Sequence, residues 1–434
     1  MNIGNFVSKF LKTSLVNRSL KVLFIRVLGV LLFFCLSMFL TNFYSPELVG
    51  KYDFSRSLIM VIGGICLLGT NQSIIYYSGI LKSQNSSGSL KVIYFRMTKI
   101  IVLVSLFFFG LIILINDEMF NTYFNKSDAA ELIFKVIITL SFFGMTMLNI
   151  DMLRALNKTM LSELFRNIFR YLPFLIIVIL LSINDLFDYL IDAYLWSFVF
   201  LAILSSFFIF HFLKQQDEPD TFKEVGYKKI LNQSYPMAIS ALSYFLMQSI
   251  DVLLLSKYHT FETVAYYSVA VKLATVTALA LQSVNIIVAP KIAEIYSNND
   301  RGALNKLVRN SSRLIFAMSL PTLLTLAIFS NFALSLFGEG YTQGRTSLLI
   351  LLFGQLFNSL CGPVAIYLNM TGKQNKLQKI LIFGFLMNLI LNLIFIPEYG
   401  MLGASISTAL SMVAWNIIAT FYVYKKDKLK TFLS

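Results

Sequence analysis

Long, unbroken apolar runs recur along the whole chain, and they constrain its folding more than any motif does. Bounded by polar clusters, they fall near 20–43, 55–81, 92–115, 131–153, 164–183 and 189–213, and again near 231–256, 264–289, 314–336, 348–370, 377–397 and 402–424. A helix crosses the hydrocarbon layer of a bilayer in about 20 residues, so each run reads as one crossing. Every peptide group in lipid must find its partner within the protein, which leaves only helices or closed barrels. Barrel strands would be alternating segments of about ten residues, and these runs do not alternate. The expectation is an all-α polytopic membrane protein with about 12 transmembrane helices. Composition agrees: of 434 residues 57% are hydrophobic and 13% charged, against roughly 25% charged in soluble domains. That balance excludes intrinsic disorder. Only three cysteines, Cys35, Cys66 and Cys361, are present, all in apolar runs, which excludes a disulfide scaffold.

Charge sets the orientation. The formal net charge is +14, from 36 Lys+Arg against 22 Asp+Glu. With the amino terminus inside, the outer loops and rims hold Lys51, Arg56, Lys126, Lys135, Lys257 and Arg345, and two more cations, Arg26 and Lys272, sit within spans. All the others fall in inner segments, which is the positive-inside pattern and places both termini in the cytoplasm. The basic clusters then face anionic headgroups, and no nucleic acid is needed to explain them. The first span, flanked by Lys9, Lys12, Arg18 and Lys21, is too long for a signal-peptide core and is expected to stay attached.

The stretch KQQDEPDTFKEVGYKK at 214–229 is the longest charged inner connection and lies near mid-chain. It divides the sequence into an N-terminal six-helix bundle (1–213), a cytoplasmic linker (214–230), a C-terminal six-helix bundle (231–424) and a basic cytoplasmic tail (425–434). Shifting the second half back by 215 positions pairs LTNFYSPELVGKYDFSRSL (40–58) with LSKYHTFETVAYYSVAVKL (255–273). Five of the nineteen positions are identical: Leu40/Leu255, Glu47/Glu262, Val49/Val264, Tyr52/Tyr267 and Leu58/Leu273. Six spans per half is an even number, so both halves start on the same side. The repeat is therefore parallel, with a pseudo-twofold axis along the membrane normal and a central cavity between the bundles.

Several motifs carry a family resemblance. The first half reads IRVLG (25–29), SPELVGKYDFS (45–55) and LLGTNQSIIYYSG (67–79). The second contains APKIAEIY (289–296), LFGEGYTQG (336–344), MTGKQN (370–375) and NLILNLIFIPEYGMLGASIST (388–408). In this order and spacing the chain resembles oligosaccharide flippases of the polysaccharide transporter family, within the multidrug/oligosaccharidyl-lipid/polysaccharide exporter superfamily. The resemblance implies a two-bundle, alternating-access transporter in the bacterial inner membrane. Its substrate would be undecaprenyl-pyrophosphate-linked oligosaccharide repeat units for O-antigen or capsule, with a glycan polymerase as a potential partner.

Ionisable groups within hydrocarbon are costly, so each is a functional candidate. Arg26 and Lys272 in spans 1 and 8, with Arg56 at the outer mouth of span 2, are expected to receive the pyrophosphate. Arg suits bidentate phosphate contacts and Lys offers a mobile point charge. Arg26 also matches the arginine of the family's R.LG first-helix motif. Two acids, Asp151 and Asp251, are coupling-ion or ion-pair candidates. Asp251 would bind a proton or sodium ion or pair with Lys272, the pair relieving two unpaired charges, and Asp151 would pair with Arg154 three residues on. Asn71, Gln72, Gln248, Gln282, Asn285, Asn388 and Asn392 are polar cavity candidates, able to bond between helices or meet sugar hydroxyls. No cofactor is called for beyond a coupling gradient.

Two rival functions are open to such a chain. A multidrug or organic-cation exporter of the same superfamily would want acidic and aromatic cavity groups. A membrane enzyme would want a catalytic surface loop. With only His211 and His259 as histidines, and no metal-ligand spacing or nucleophile motif, the chain is not expected to be an enzyme.

Overall fold

The computed structural model describes residues 14–83, 89–214, 226–298, 300–429 and 431–432. Lys9 and Lys12, most of the predicted linker and the last residues of the basic tail lie outside the described residues. Those described are helical, with no strand. In chain order the helices are α1 (Ser14–Phe43), α2 (Pro46–Leu67), α3 (Thr70–Ser83), α4 (Ser89–Leu114), α5 (Asp117–Phe124), α6 (Ala129–Ala155), α7 (Thr159–Leu164), α8 (Leu172–Ile183) and α9 (Leu190–Leu213). There follow α10 (Tyr227–Tyr258), α11 (Phe261–Val276), α12 (Ala278–Ser297), α13 (Arg301–Ile328), α14 (Ser330–Ser335), α15 (Arg345–Cys361), α16 (Val364–Met370) and α17 (Gln374–Asp427).

Seven described helical stretches are long and apolar enough to cross a membrane, and up to ten crossings result if each of three bent pairs counts as one. The bent pairs are α2 with α3 (45°), α11 with α12 (42°), and α15 with α16 (45°). The 54 residues of α17 would extend about 81 Å at 1.5 Å per residue, far more than one crossing. They divide at Gly400, whose φ of 54° and ψ of −129° are non-helical. Pro397 withholds its own N–H from the same stretch. His259 reaches the break, its Nε2–H donating to Ile396 O at 2.8 Å. One of the two histidines thus serves as a helix cap. Divided at Gly400, α17 has the length of two crossings, and α10, about 48 Å long, has the length for one.

The helix termini explain the sequence repeat. Ser45 and Thr260 stand just before α2 and α11, where their hydroxyls accept from Leu48 N (3.3 Å) and Thr263 N (3.2 Å). Glu47 and Glu262 then sit in the first turns, facing the positive ends of the helix dipoles. Both helices preceding these caps, α1 and α10, end at positions related by the same offset of 215, Phe43 and Tyr258. Conserved spacing in the two hairpins is therefore a matter of matched capping as well as matched apolar faces. Outward-facing apolar residues form lipid-ready stripes. Leu103, Phe107, Leu111 and Leu114, at helical spacing on α4, are all exposed.

The chain condenses into two compact units: Met1–Tyr44 with Leu58–Leu242, and Ser45–Ser57 with Ser243–Ser434. The first turns of α2 therefore belong with the second unit, against α11.

Candidate functional site

In the first unit, Glu163 gathers the charges. It stands on α7, one residue before the point where hydropathy begins span 5, and its side chain is 1% exposed. Arg26 of α1 donates to it through a two-pronged contact, Nε to Oε2 at 2.9 Å and Nη2 to Oε1 at 2.8 Å. Arg154, near the end of α6, adds Nη2 to Oε1 at 2.7 Å. The Asn167 amide donates to Oε2 at 3.1 Å. Two guanidiniums on one carboxylate leave a positive excess, and a guanidinium has five N–H donors, of which Glu163 engages two on Arg26. The Arg26 side chain remains 36% exposed.

Asp151, on α6, pairs with Arg166 Nη2, not with its neighbour Arg154, and accepts from Asn71 Nδ2 at 3.1 Å. The expected local pair is thus replaced: Arg154 turns to Glu163. Arg166 lies in a single π-helical turn, Phe165–Phe169. Such a turn rotates the side chains that follow it, and the sequence offers no marker for it.

In the second unit a buried ion pair joins the two repeated hairpins. Lys272 Nζ of α11 meets Asp53 Oδ2 of α2 at 3.0 Å, with side-chain exposures of 5% and 1%. Arg56, one turn after Asp53, approaches the other oxygen, Nη1 to Oδ1 at 3.5 Å, and is 26% exposed. The Lys272 ammonium also stands 6.0 Å from the centroid of the Tyr52 ring. Arg56 and Lys272 are thereby brought to one carboxylate.

Asp251, expected opposite Lys272, stands instead among neutral donors. Its Oδ2 accepts from Tyr267 Oη at 2.8 Å and from Thr408 Oγ1, and its Oδ1 from Asn392 Nδ2. Asn392 also donates to Asn388 Oδ1 at 3.1 Å, and Asn388 lies 3.5 Å from Thr408 Oγ1. Asp251 is buried, and the Oδ1 of Asn392 is buried with no partner among the described residues. A buried carboxylate compensated by dipoles alone favours a proton or a small cation as its missing partner.

The remaining candidates divide. Asn71, Asn388 and Asn392 take part in these networks. Gln72, Gln248 and Gln282 are exposed, and Asn285 is half-buried with its Oδ1 unpartnered among the described residues. Asp53, Glu163, Tyr267 and Thr408 were not foreseen as site residues. For Asp53 a signal existed, since it stands three residues before Arg56, the spacing of a helical ion pair.

The comparisons with known proteins fit this architecture. The MatE family matches residues 236–394. A probable low-salt glycan biosynthesis flippase, Agl15 of Haloferax volcanii, is 22% identical over 45% of this chain and 42% of its own length. The capsular polysaccharide biosynthesis protein CapF of Staphylococcus aureus is 26% identical over 46% of this chain and 50% of its own. The chain thus spans about half the length of these curated relatives. Among solved structures, the lipid II flippase MurJ in an inward closed conformation superposes with a TM-score of 0.71 at 16% identity, covering 94% of this chain and 88% of that one. An inward-facing multidrug resistance MATE transporter of the MOP superfamily gives 0.72 at 14% identity, covering 92% and 94%. Residues 236–394 thus match the MatE family, and over nearly its whole length the chain has the fold of these multi-pass membrane transporters.

Proposed function

We propose that the protein is a flippase for lipid-linked oligosaccharides. It moves undecaprenyl-pyrophosphate-linked repeat units, of O-antigen or capsule type, from the cytoplasmic to the outer leaflet of the bacterial inner membrane by alternating access between two six-helix halves. The observation that carries this reading is the cluster in which two guanidiniums, Arg26 and Arg154, share the carboxylate of Glu163 while each stays about one-third exposed, with Lys272 and Arg56 gathered on Asp53 in the second unit. A guanidinium that its carboxylate does not cover keeps N–H donors for an incoming anion. A pyrophosphate has the charge and the acceptor oxygens to engage them, and Arg supplies forked donors for it. The fold likeness to a lipid II flippase and the relationship to a glycan biosynthesis flippase support the same substrate class.

Asp251 is assigned to energy coupling. Its cage of Tyr267, Asn392 and Thr408 donors keeps it ready to exchange a proton or sodium ion. The same uncompensated carboxylate, with the fold likeness to a multidrug transporter, is what favours the runner-up reading, export of organic cations. One experiment separates the two. In a strain lacking the gene, the wild-type chain restores surface polysaccharide and the Arg26→Ala/Lys272→Ala variant, present in the membrane at equal level, does not. Full polysaccharide from that variant, or resistance to cytotoxic cations as the only restored trait, would contradict the proposal.

A further inference from the structure

The Asp53–Lys272 pair does more than neutralise a lysine. It links residues 219 positions apart in sequence, one on each of the two repeated hairpins, and those hairpins are seated backbone against backbone. A Cβ at Gly50 would fall 1.8 Å from the Phe261 carbonyl oxygen, so the seat admits only glycine there. The Phe54 and Phe261 rings meet at 5.7 Å. Lys272 and Asp53 are buried while this seat is closed, so no headgroup reaches Lys272 until it opens.

Beside the pair lies unused hydrogen-bonding capacity. Ser268 precedes Lys272 by one helical turn on the same face of α11, and its hydroxyl is buried without a partner among the described residues. The Tyr341 hydroxyl is likewise buried and unpartnered among them, its ring 5.1 Å from that of Tyr266 on α11. Buried hydroxyls without partners are uncommon.

We infer that Asp53 is an internal stand-in for the substrate's diphosphate, holding Lys272 and Arg56 and locking the hairpins together until the diphosphate displaces it. This rests on the headgroup reading above and adds to it the means by which substrate arrival opens the seat. A diphosphate brings more charge and more acceptor oxygens than one carboxylate. It takes Lys272 and Arg56, offers acceptors to the waiting hydroxyls, and frees Asp53, so that the ion pair no longer ties α2 to α11.

The test uses the full chain in nanodiscs, with undecaprenyl pyrophosphate as probe and undecaprenol as the neutral control. In the wild type, hydrogen–deuterium exchange of segments 45–57 and 261–276 rises with the diphosphate and not with the alcohol. Asp53→Asn binds undecaprenyl pyrophosphate at least ten-fold more tightly than the wild type, and in the Lys272→Met background the same change has no effect. Inorganic pyrophosphate is a third arm. A response to it assigns the lock to the free anion, and a response to the lipid form alone assigns it to the anchored one; either supports displacement. Preference for the diphosphate with unchanged exchange in the two segments would overturn the inference and leave the flippase reading standing. Absence of any preference over undecaprenol would remove the headgroup reading itself, and the inference with it. The exchange measurement needs no variant, so it decides even if Asp53→Asn fails to fold.

Discussion

Each charge within the spans is held by a specific set of donors, and the sets differ in what their loss would do. Glu163 accepts from Arg26, Arg154 and Asn167 at once. Glu163→Gln removes the carboxylate that the two guanidiniums share. Breaking one side of a buried pair costs several kcal/mol, and because both arginines are about one-third exposed the loss here is expected near 2 kcal/mol after solvent screening. Thermal unfolding of the purified protein in detergent should show a lowered midpoint, and an unchanged midpoint would mean the cluster is not a structural tie. Asp251 is different, because no cation neutralises it among its hydrogen-bonding partners. Asp251→Asn should leave folding intact and abolish the stimulation of transport by an imposed proton or sodium gradient. Stimulation that persists in the variant would move the coupling site elsewhere.

At the scale of the helices, the breaks are as informative as the spans. Gly400 adopts φ 54° with ψ −129°, a conformation that an L side chain enters only under strain of roughly 1–3 kcal/mol. A Cβ there would also approach the His259 ring at 3.2 Å. Gly400→Ala is expected to lower the thermal midpoint more than His259→Gln, which removes one cap of the Ile396 carbonyl, worth about 1 kcal/mol. The reverse order in a thermal-shift series would contradict this account of the break. The spans themselves were legible because a 20-residue apolar run has few alternative fates. Their edges were less so, and that cost the two carboxylates that matter. The apolar runs as read begin at Ser55 and Leu164, just beyond Asp53 and Glu163. In the structure α2 begins at Pro46 and α7 at Thr159, because a carboxylate neutralised by a distant helix can lie inside the helical, buried region. Asp53 to Arg56 was readable as a local pair, whereas Asp53 to Lys272 and Glu163 to Arg26 depend on tertiary packing that no window records.

For the whole molecule, the proposed function has cations within the spans carry a diphosphate-linked glycan across the membrane. The cap-for-cap match of the two hairpins, with α2 and α11 starting 215 residues apart, places Arg56 and Lys272 near corresponding points of the two halves, while Arg26 belongs to the first unit. Transport should therefore depend on both clusters together. The most direct measurement is flipping of a fluorescent undecaprenyl-pyrophosphate oligosaccharide in liposomes containing the purified chain, scored by loss of accessibility to an impermeant quencher. The wild type should exceed protein-free vesicles severalfold and the Arg26→Ala/Lys272→Ala variant should fall to the protein-free rate. Equal rates for the variant and the wild type, or no flipping by the wild type at all, would contradict the claim.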